Sequence, residues 1–250
     1  MQKIIFEALT KANISLAFYT TSWQGSWQYE AEASGTAYEE LAGELGIATS
    51  RIVRTKQTHT SRVKLVGATN GGEGVCRDYG AAGYDGMVTN TQGLLLCTLE
   101  ADCVPVYLLD PVARAVGMVH SGWRGTVGKI AVQGIRLMEE SFGSRPEDIH
   151  VGIGPHICAS CYEVGAELLL PFGEAFTGEE LAQIFRPEEG RPGKYLLNLQ
   201  QAIRLSALKE GILAEHFHSC GLCTYEDLRF DSYRRAGGTE LRMLTGIMLL

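Results

Sequence analysis

The sequence predicts an α/β fold: a single domain over residues 1–250, with a mixed β-sheet flanked by helices. Two observations carry this. Four short apolar runs follow one another: "DGMVTN" (85–90), "GLLLCTLEADC" (93–103), "VPVYLLD" (104–110) and "RAVGMVHSG" (114–122), each bounded by Gly, Asp or Pro. Runs of this length without polar alternation are the pattern of strands covered on both faces. Directly after them, Val127, Ile130, Ala131, Gly134, Ile135 and Met138 fall on one face of a helix expected over 126–142. Strands followed by helices able to cover them make a layered α/β arrangement.

The other elements follow in order. Residues 36–46 carry Tyr38, Leu41 and Leu45 at helical spacing, closed by Gly46. "RIVRTKQ" (51–57) and "RVKLVGA" (62–68) are expected as strands around a short turn at His59-Thr60-Ser61, and "NGGEG" (70–74) as a loop. Beyond the long helix, "DIHVGIG" (148–154) reads as a strand and "YEVGAELLLPFG" as a helix broken at Pro171. The polar, Gly/Pro-rich stretch 186–194 is expected as an inserted loop. A helix over 195–210, a strand at "AEHFHSC" (214–220) and a last strand in "ELRMLTGIMLL" complete the chain.

The totals bound the function. A 45% hydrophobic, 20% charged chain of 250 residues can bury a sizeable core. A formal net charge of -7 gives no electrostatic basis for a nucleic-acid partner, while local arginines can still hold small anions. No run of 18 apolar residues occurs, so no membrane span is expected. The opening "MQKIIFEALTKANISLAFY" is interrupted by Glu7, Thr10, Lys11 and Asn13 and lacks a signal-peptide core. The expected location is cytoplasmic. There, seven cysteines read as reduced thiols or metal ligands.

Three segments each put one soft or borderline ligand at the end of an apolar run: His59 in "KQTHTSRV", Cys103 in "EADCVPV" and His120 in "VHSGWRGT". Singly, a buried histidine reads as a hydrogen-bonded core residue and a buried cysteine as packing. Together they gain weight, because neighbouring strands bring their ends to one sheet edge, where open α/β sheets place ligands. Two imidazoles and a thiolate with an open fourth position make a catalytic-type zinc site. The alternative is a thiolate–imidazolium pair of Cys103 with His120, a Cys-His hydrolase or amidase, which leaves His59 without a role.

The segments "KQTHTSRV", "DGMVTN", "ADCVPVYLLDP", "VHSGWRGTVGKI", "GIGPHICASCYEVG" and "CTYEDLRFDSYRR", with the tail "LRML", resemble in content and order the multicopper polyphenol oxidase (laccase-like) family, also called the YfiH family. The resemblance implies a YfiH-like fold related to cysteine hydrolases and a toxin deamidase. It implies His59, Cys103 and His120 as ligands of Zn2+. It also implies purine nucleoside phosphorylase activity on adenosine, inosine and guanosine, with adenosine deaminase and methylthioadenosine phosphorylase activity besides. The family's older name implies copper oxidation of phenols. The six histidines are His59, His120, His150, His156, His216 and His218, with one His-x-His pair, too few to build a trinuclear copper centre. Copper is instead reasonable by substitution at the two-His, one-Cys site.

Purine nucleosides and phosphate are the expected partners. Phosphorolysis needs phosphate held against C1′ of the ribose, and arginine is the natural fork for it. Arg62 and Arg124 lie near two ligands in sequence and match positions in the family's motifs; the structural alternative for Arg124 is a salt bridge at a helix start. For deamination, Asp102 is the first candidate to move protons, with a loop or cap hydrogen bond as its structural alternative. Glu163 is the second candidate, and Tyr162 is a candidate to border the purine. Many members begin with Arg-Gly-Gly-Val-Ser and a later Ser-x-Asn-Leu; here Trp23, Gln24 and Trp27 stand in that region. The tail keeps Arg242 but not the glycine before it. Cys158 and Cys161, with Cys220 and Cys223, form two C-x-x-C pairs, read as a four-thiolate metal site, a disulfide or buried thiols. Cys76 and Cys97 read as loop and core, and His156 as part of a surface turn.

Overall fold

The computed structural model describes residues 2–22, 37–238 and 241–250. In chain order come β1 (Lys3–Ile5), β2 (Ser15–Thr20), α1 (Ala37–Leu45), β3 (Ile52–Arg54), β4 (Val63–Leu65), β5 (Gly86–Thr89), β6 (Leu95–Glu100), β7 (Val104–Asp110) and β8 (Ala115–Ser121). Then come α2 (Trp123–Val127), α3 (Ile130–Phe142), β9 (His150–Ile153), β10 (Glu163–Gly165), α4 (Leu169–Ala175) and α5 (Gly178–Ile184). The last are β11 (Phe185–Pro187), β12 (Lys194–Leu197), α6 (Leu199–Lys209), β13 (Phe217–Ser219), α7 (Tyr233–Ala236) and β14 (Met243–Leu249).

The α/β class and the mixed strand directions are as expected, but the described strands form three sheets rather than one. A five-stranded sheet has the order β1-β2-β14-β6-β3, antiparallel except where β3 meets β6. A six-stranded sheet has the order β13-β9-β7-β8-β5-β4, antiparallel in its centre and parallel at both edges. A small antiparallel sheet, β10-β12-β11, stands apart. Strands buried on both faces are satisfied equally by a helix or by a second sheet, so the apolar runs alone did not separate the two.

The two large sheets face each other. Alternate side chains of a strand go to opposite faces. On β7, Tyr107 and Leu109 join Leu96, Ile247 and Phe230 in one cluster, while Val106 and Leu108 join Ile135, Met138 and Ile203 in another, with α3 and α6. On β6, Leu96 points inward, and Leu95 and Cys97 pack outward with Tyr38 and Leu41 of α1. The layers are therefore α1, the five-stranded sheet, the six-stranded sheet and α3 with α6. Tyr107 is fully buried, and its hydroxyl donates to the Phe18 carbonyl at 2.7 Å, joining one sheet to the other. Burying a side chain of this size stabilises by about 2–3 kcal/mol relative to leaving it exposed.

Several local expectations change. The strands around His59 are shorter than expected and belong to different sheets. The long helix divides into α2 and α3 at Gly128 and Lys129, the latter in the left-handed region with φ 57. "YEVGAELLLPFG" begins as β10, and Pro171 lies in the first turn of α4, where its missing N–H has no helical partner to lose. The 186–194 stretch is the tip of the β11–β12 hairpin, and α6 starts later than expected because Asn198 caps it, accepting the Gln201 N–H at 2.9 Å. No helix among the described residues is long and apolar enough to cross a membrane.

Candidate metal centre

Topology explains why His59, Cys103 and His120 meet. β3 and β6 are parallel neighbours, with Arg54 opposite Cys97, so their C-terminal ends lie side by side. From there both chain segments cross to the other sheet: residues 55–62 lead to β4, and residues 101–103 lead to β7. The first crossing carries His59 and the second Cys103. β8 runs antiparallel to β7, with His120 opposite Pro105, so its C-terminal end delivers His120 to the same place. Gln57 aligns the first crossing: its side-chain amide donates to the Leu99 carbonyl at 2.8 Å, and its Oε1 accepts the Leu99 N–H at 2.9 Å. It acts as one more rung on the β3–β6 ladder.

The sequence reading missed the residue that orders this site. Asp85, fully buried just before β5, accepts five hydrogen bonds. The Thr58 and Thr60 N–H groups donate to Oδ2 at 3.1 and 2.7 Å, the Thr60 hydroxyl to the same oxygen at 2.8 Å, and the His59 N–H to Oδ1 at 2.9 Å. His120 Nδ1 lies 2.9 Å from Oδ1. Burial acts to raise the Asp85 pKa, but the bonds from His120 and Thr60 outweigh it and bring the carboxyl down to about 2. An ionised Asp85 only accepts, so the imidazole proton sits on Nδ1 and Nε2 is left for a metal. The same carboxylate holds His59 in the left-handed region, φ 59, which otherwise costs roughly 1–2 kcal/mol. A lone Asp between a loop and a buried strand was the available signal.

One ligand atom from each of His59, Cys103 and His120 lies within 4.8 Å of the other two. Cys103 Sγ is 3.9 Å from His59 Nε2, and the two imidazole rings stand edge to face, with centroids 4.9 Å apart. Tetrahedral zinc bonds of about 2.3 Å to sulfur and 2.0 Å to nitrogen put sulfur and nitrogen about 3.5 Å apart, so the Cys103–His59 pair fits such an ion after a shift of a few tenths of an ångström. Gly122 keeps the space open: a Cβ there would come 3.0 Å from Cys103 Sγ and 3.1 Å from the His59 ring. Its φ of -74 suits any residue, so room rather than conformation requires glycine here. Burial pushes the Cys103 thiol up, yet His120 and His59 outweigh it and bring it to about 6. Burial pulls His120 down, while Cys103 and Asp85 raise it to about 10. Both shifts favour a thiolate at this position.

Glu100, at the end of β6, is a second group the sequence reading passed over. It is 1% exposed; Oε2 accepts from the Thr245 hydroxyl at 2.9 Å, and Oε1 has no partner. Burial pushes its pKa up to about 7, against the pull of His120 and the Thr98 and Thr245 hydroxyls. The fold thus favours the protonated acid, so the metal-free chain loses stability as pH rises from about 4.5 to about 7. Glu100→Gln is expected to melt like the wild type below pH 4.5 and to gain on the order of 3 kcal/mol above pH 7. Parallel melting curves across this range would dispose of the idea.

The triad opens into a cavity of about 1000 Å³. Arg54, Lys56, Arg124, Arg234 and Arg242 line it, with Trp123, Tyr79, Tyr162 and Tyr233 among its walls. Among the described residues Asp102 is the only carboxylate of the lining, and both of its oxygens are engaged: the Thr224 hydroxyl donates at 2.6 Å and the Arg234 N–H at 2.7 Å. Its backbone, in the middle of the second crossing, lies in the left-handed region at φ 88. Arg124 is exposed, lies over the Trp123 ring at 4.2 Å and makes no ion pair among the described residues. Tyr162 lines the cavity beneath Arg234, 5.1 Å from its ring.

Two candidates fall outside. Arg62 is exposed and stacks at 4.3 Å on the Tyr84 ring, away from the cavity lining. Position 62 directly precedes β4, where the chain has already reached the second sheet. Glu163 lies in the neighbouring depression, paired with Arg191. His156 is buried, bonded through Nδ1 to the Gly154 carbonyl at 2.9 Å, not part of a surface turn. Trp23, Gln24 and Trp27 lie outside the described residues.

A thiolate and two imidazoles, one anchored by a buried carboxylate, at the mouth of a cationic cavity between two sheets define an α/β protein with an open three-ligand metal-type centre. The chain belongs to the multi-copper polyphenol oxidoreductase laccase family, whose model matches residues 20–250. It is 36% identical over 216 residues to the purine nucleoside phosphorylase YlmD of Geobacillus stearothermophilus, covering 83% of this chain and 75% of that one. It is 33% identical to the adenosine deaminase RL5 of an unknown prokaryote, covering 83% and 78%. The crystal structure of the Bacillus licheniformis hypothetical protein YfiH superposes with a TM-score of 0.84 at 29% identity, over 96% of this chain and 94% of that one.

Proposed function

We propose that this chain is a zinc-dependent purine nucleoside phosphorylase acting on adenosine, inosine or guanosine, and on methylthioadenosine as a further substrate. The observation that carries the reading is the cavity: five cationic side chains and four aromatic ones surround the His59, Cys103 and His120 cluster. In phosphorolysis a phosphate oxygen bonds to C1′, the C1′–N9 bond breaks, and its electron pair leaves with the base, which takes up a proton. The transition state has oxocarbenium character. Arg124, which has no ion-pair partner among the described residues, is the guanidinium that would fork the phosphate, and Tyr162 would border the base. His59, Cys103 and His120 would hold a zinc ion, which would supply Lewis-acid chemistry beside the cavity. Asp85 keeps His120 Nε2 and the His59 loop aimed at that position.

Adenosine deamination fits the same pocket less well. It calls for a free carboxylate to move protons, and Asp102 is occupied by Thr224 and Arg234. A multicopper oxidase fits worse still. His150 packs with His216 and His218, and it pairs with Leu109 at the far end of β7, about 20 Å along the strand from Cys103. Copper enters this reading only as a substitute ion in the zinc site. One observation favours a second reading, a thiol hydrolase or amidase: without metal, Cys103 and His120 are poised as thiolate and imidazolium. Chelation separates the two, since it abolishes phosphorolysis and spares or raises thiol chemistry. The cytoplasm is the compartment that suits seven unpaired cysteines.

The direct test incubates zinc-loaded protein with inosine or adenosine, with and without phosphate. Free base and ribose 1-phosphate should form only with phosphate; no turnover at confirmed zinc occupancy would overturn the assignment. Arg124→Ala is expected to raise the KM for phosphate roughly 10- to 100-fold with a smaller change in nucleoside KM, the weight of one charge-assisted contact. An unchanged phosphate KM would remove Arg124 from the site.

A further inference from the structure

Outside the cavity, three of the seven cysteines converge with a carboxylate, and the sheet explains how. β9 and β13 are parallel neighbours, with Val151 opposite Phe217 and Ile153 opposite Ser219. Their C-terminal ends therefore release two loops side by side. A bridge between His156 and Cys223 continues the pairing, with the His156 N–H donating to the Leu222 carbonyl at 3.3 Å and the Thr224 N–H to the His156 carbonyl at 3.0 Å. In the first loop, the Cys161 and Tyr162 N–H groups both donate to the Cys158 carbonyl at 3.1 Å, a tight turn that places two thiols on one side.

One ligand atom from each of Cys158, Cys161, Cys223 and Glu226 lies within 4.8 Å of the other three. The Cys158 N–H donates to Cys223 Sγ at 3.3 Å, and the Cys161 thiol donates to a Glu226 oxygen at 3.4 Å. The Cys158 sulfur also lies 3.0 Å from the Ser160 hydroxyl. Backbone donors aimed at a buried sulfur are what a thiolate accepts. Arg235 donates to the Thr224 and Tyr225 carbonyls, setting a cation beside this turn.

We propose that Cys158, Cys161, Cys223 and Glu226 bind a second divalent ion of the zinc type, with a structural rather than a catalytic role. Three thiolates and one carboxylate fill a tetrahedral shell, which leaves no position for substrate. The S-rich donor set selects zinc over magnesium or calcium. Bonds of about 2.3 Å to sulfur place neighbouring thiolates about 3.8 Å apart, so the four residues need only draw inward slightly. Cys220 is not the fourth ligand that the two C-x-x-C pairs suggest: it packs against the core between the sheets, and burial pushes its thiol up to about 11. The ion ties together segments 65 residues apart in sequence. One of them carries Ile157 and Tyr162 of the cavity wall; the other carries Thr224, which holds Asp102. It is a staple behind the wall of the first centre.

Metal analysis of the reduced, zinc-saturated protein tests this whatever reaction the first centre performs. The wild type is expected to hold two equivalents, Cys161→Ser one, His120→Ala one, and the double variant none. Cobalt(II) gives an independent readout, because its thiolate charge-transfer absorption grows with the number of coordinated sulfurs. Four thiolates contribute in the wild type. Cys161→Ser should keep roughly one quarter of the band and Cys103→Ala roughly three quarters, so the proposal stays testable even if one variant fails to fold. Saturation of the reduced wild type at a single equivalent that His120→Ala abolishes overturns the proposal. So does a Cys158–Cys161 disulfide in the protein as isolated, or retention of both equivalents in Cys161→Ser.

Discussion

His120→Ala is expected to lose the metal of the first centre and nucleoside turnover together, with turnover down at least about 1000-fold, the scale on which a removed Lewis acid and its oriented ligand act. The structural reason is that His120 is shared. Its Nε2 faces the triad and its Nδ1 pairs with Asp85, so truncation also leaves a buried carboxylate short of a partner. That orphaning costs about 3–5 kcal/mol, and a fall in melting temperature is expected alongside the loss of activity. Cys103→Ser separates the two effects: it removes the thiolate and keeps the Asp85–His120 pair. Stoichiometric metal at the first centre in both variants would show that the ligand assignment is wrong.

Asp85→Asn is expected to weaken metal binding roughly 10- to 100-fold although Asp85 touches no metal, as removal of an outer hydrogen-bond partner does elsewhere. The amide has one accepting oxygen where the carboxylate has two. Its NH2 would face N–H groups of the 58–60 turn, and each buried donor left unpaired costs about 1–3 kcal/mol. The pH dependence gives an independent check on the metal-free protein. The Asp85 pKa is depressed from 3.8 to about 2, so its stabilisation is fully present above about pH 4 and is lost as pH falls through about 2. The Asn variant should lack this acid-side loss. An Asn variant with wild-type metal affinity and the same acid-side slope would remove Asp85 from the role given to it.

The convergence of His59, Cys103 and His120 was legible because each closes or follows a buried strand, and strand ends gather at sheet edges whatever the number of sheets. Asp85 was not legible, since its partners lie 25 to 35 positions away and only the crossing at 58–60 brings them to it. Arg62 misled for the opposite reason: closeness in sequence to His59 suggested a shared site, but the chain reaches the second sheet within those few residues. Asp102 was the first candidate to move protons, with a loop or cap hydrogen bond as the alternative; it lines the cavity, and Thr224 and Arg234 donate to its oxygens. Apolar runs located β6, β7 and β8 and could not say that β6 belongs to one sheet and its successors to another. The C-x-x-C pairs were visible, yet only the parallel pairing of β9 and β13 brings Cys158 and Cys161 beside Cys223 and Glu226 rather than Cys220.

β14 bears on when the first centre can exist. This strand lies between β2 and β6, pairing Ile247 with both Ala17 and Leu96. Residues 59, 103 and 120 leave the ribosome long before residues 243–249 do, but until then β6 has no neighbour on that side and the gap between the two sheets cannot close. On the proposed reading, His59, Cys103 and His120 reach their binding arrangement only once β14 has joined β2 to β6.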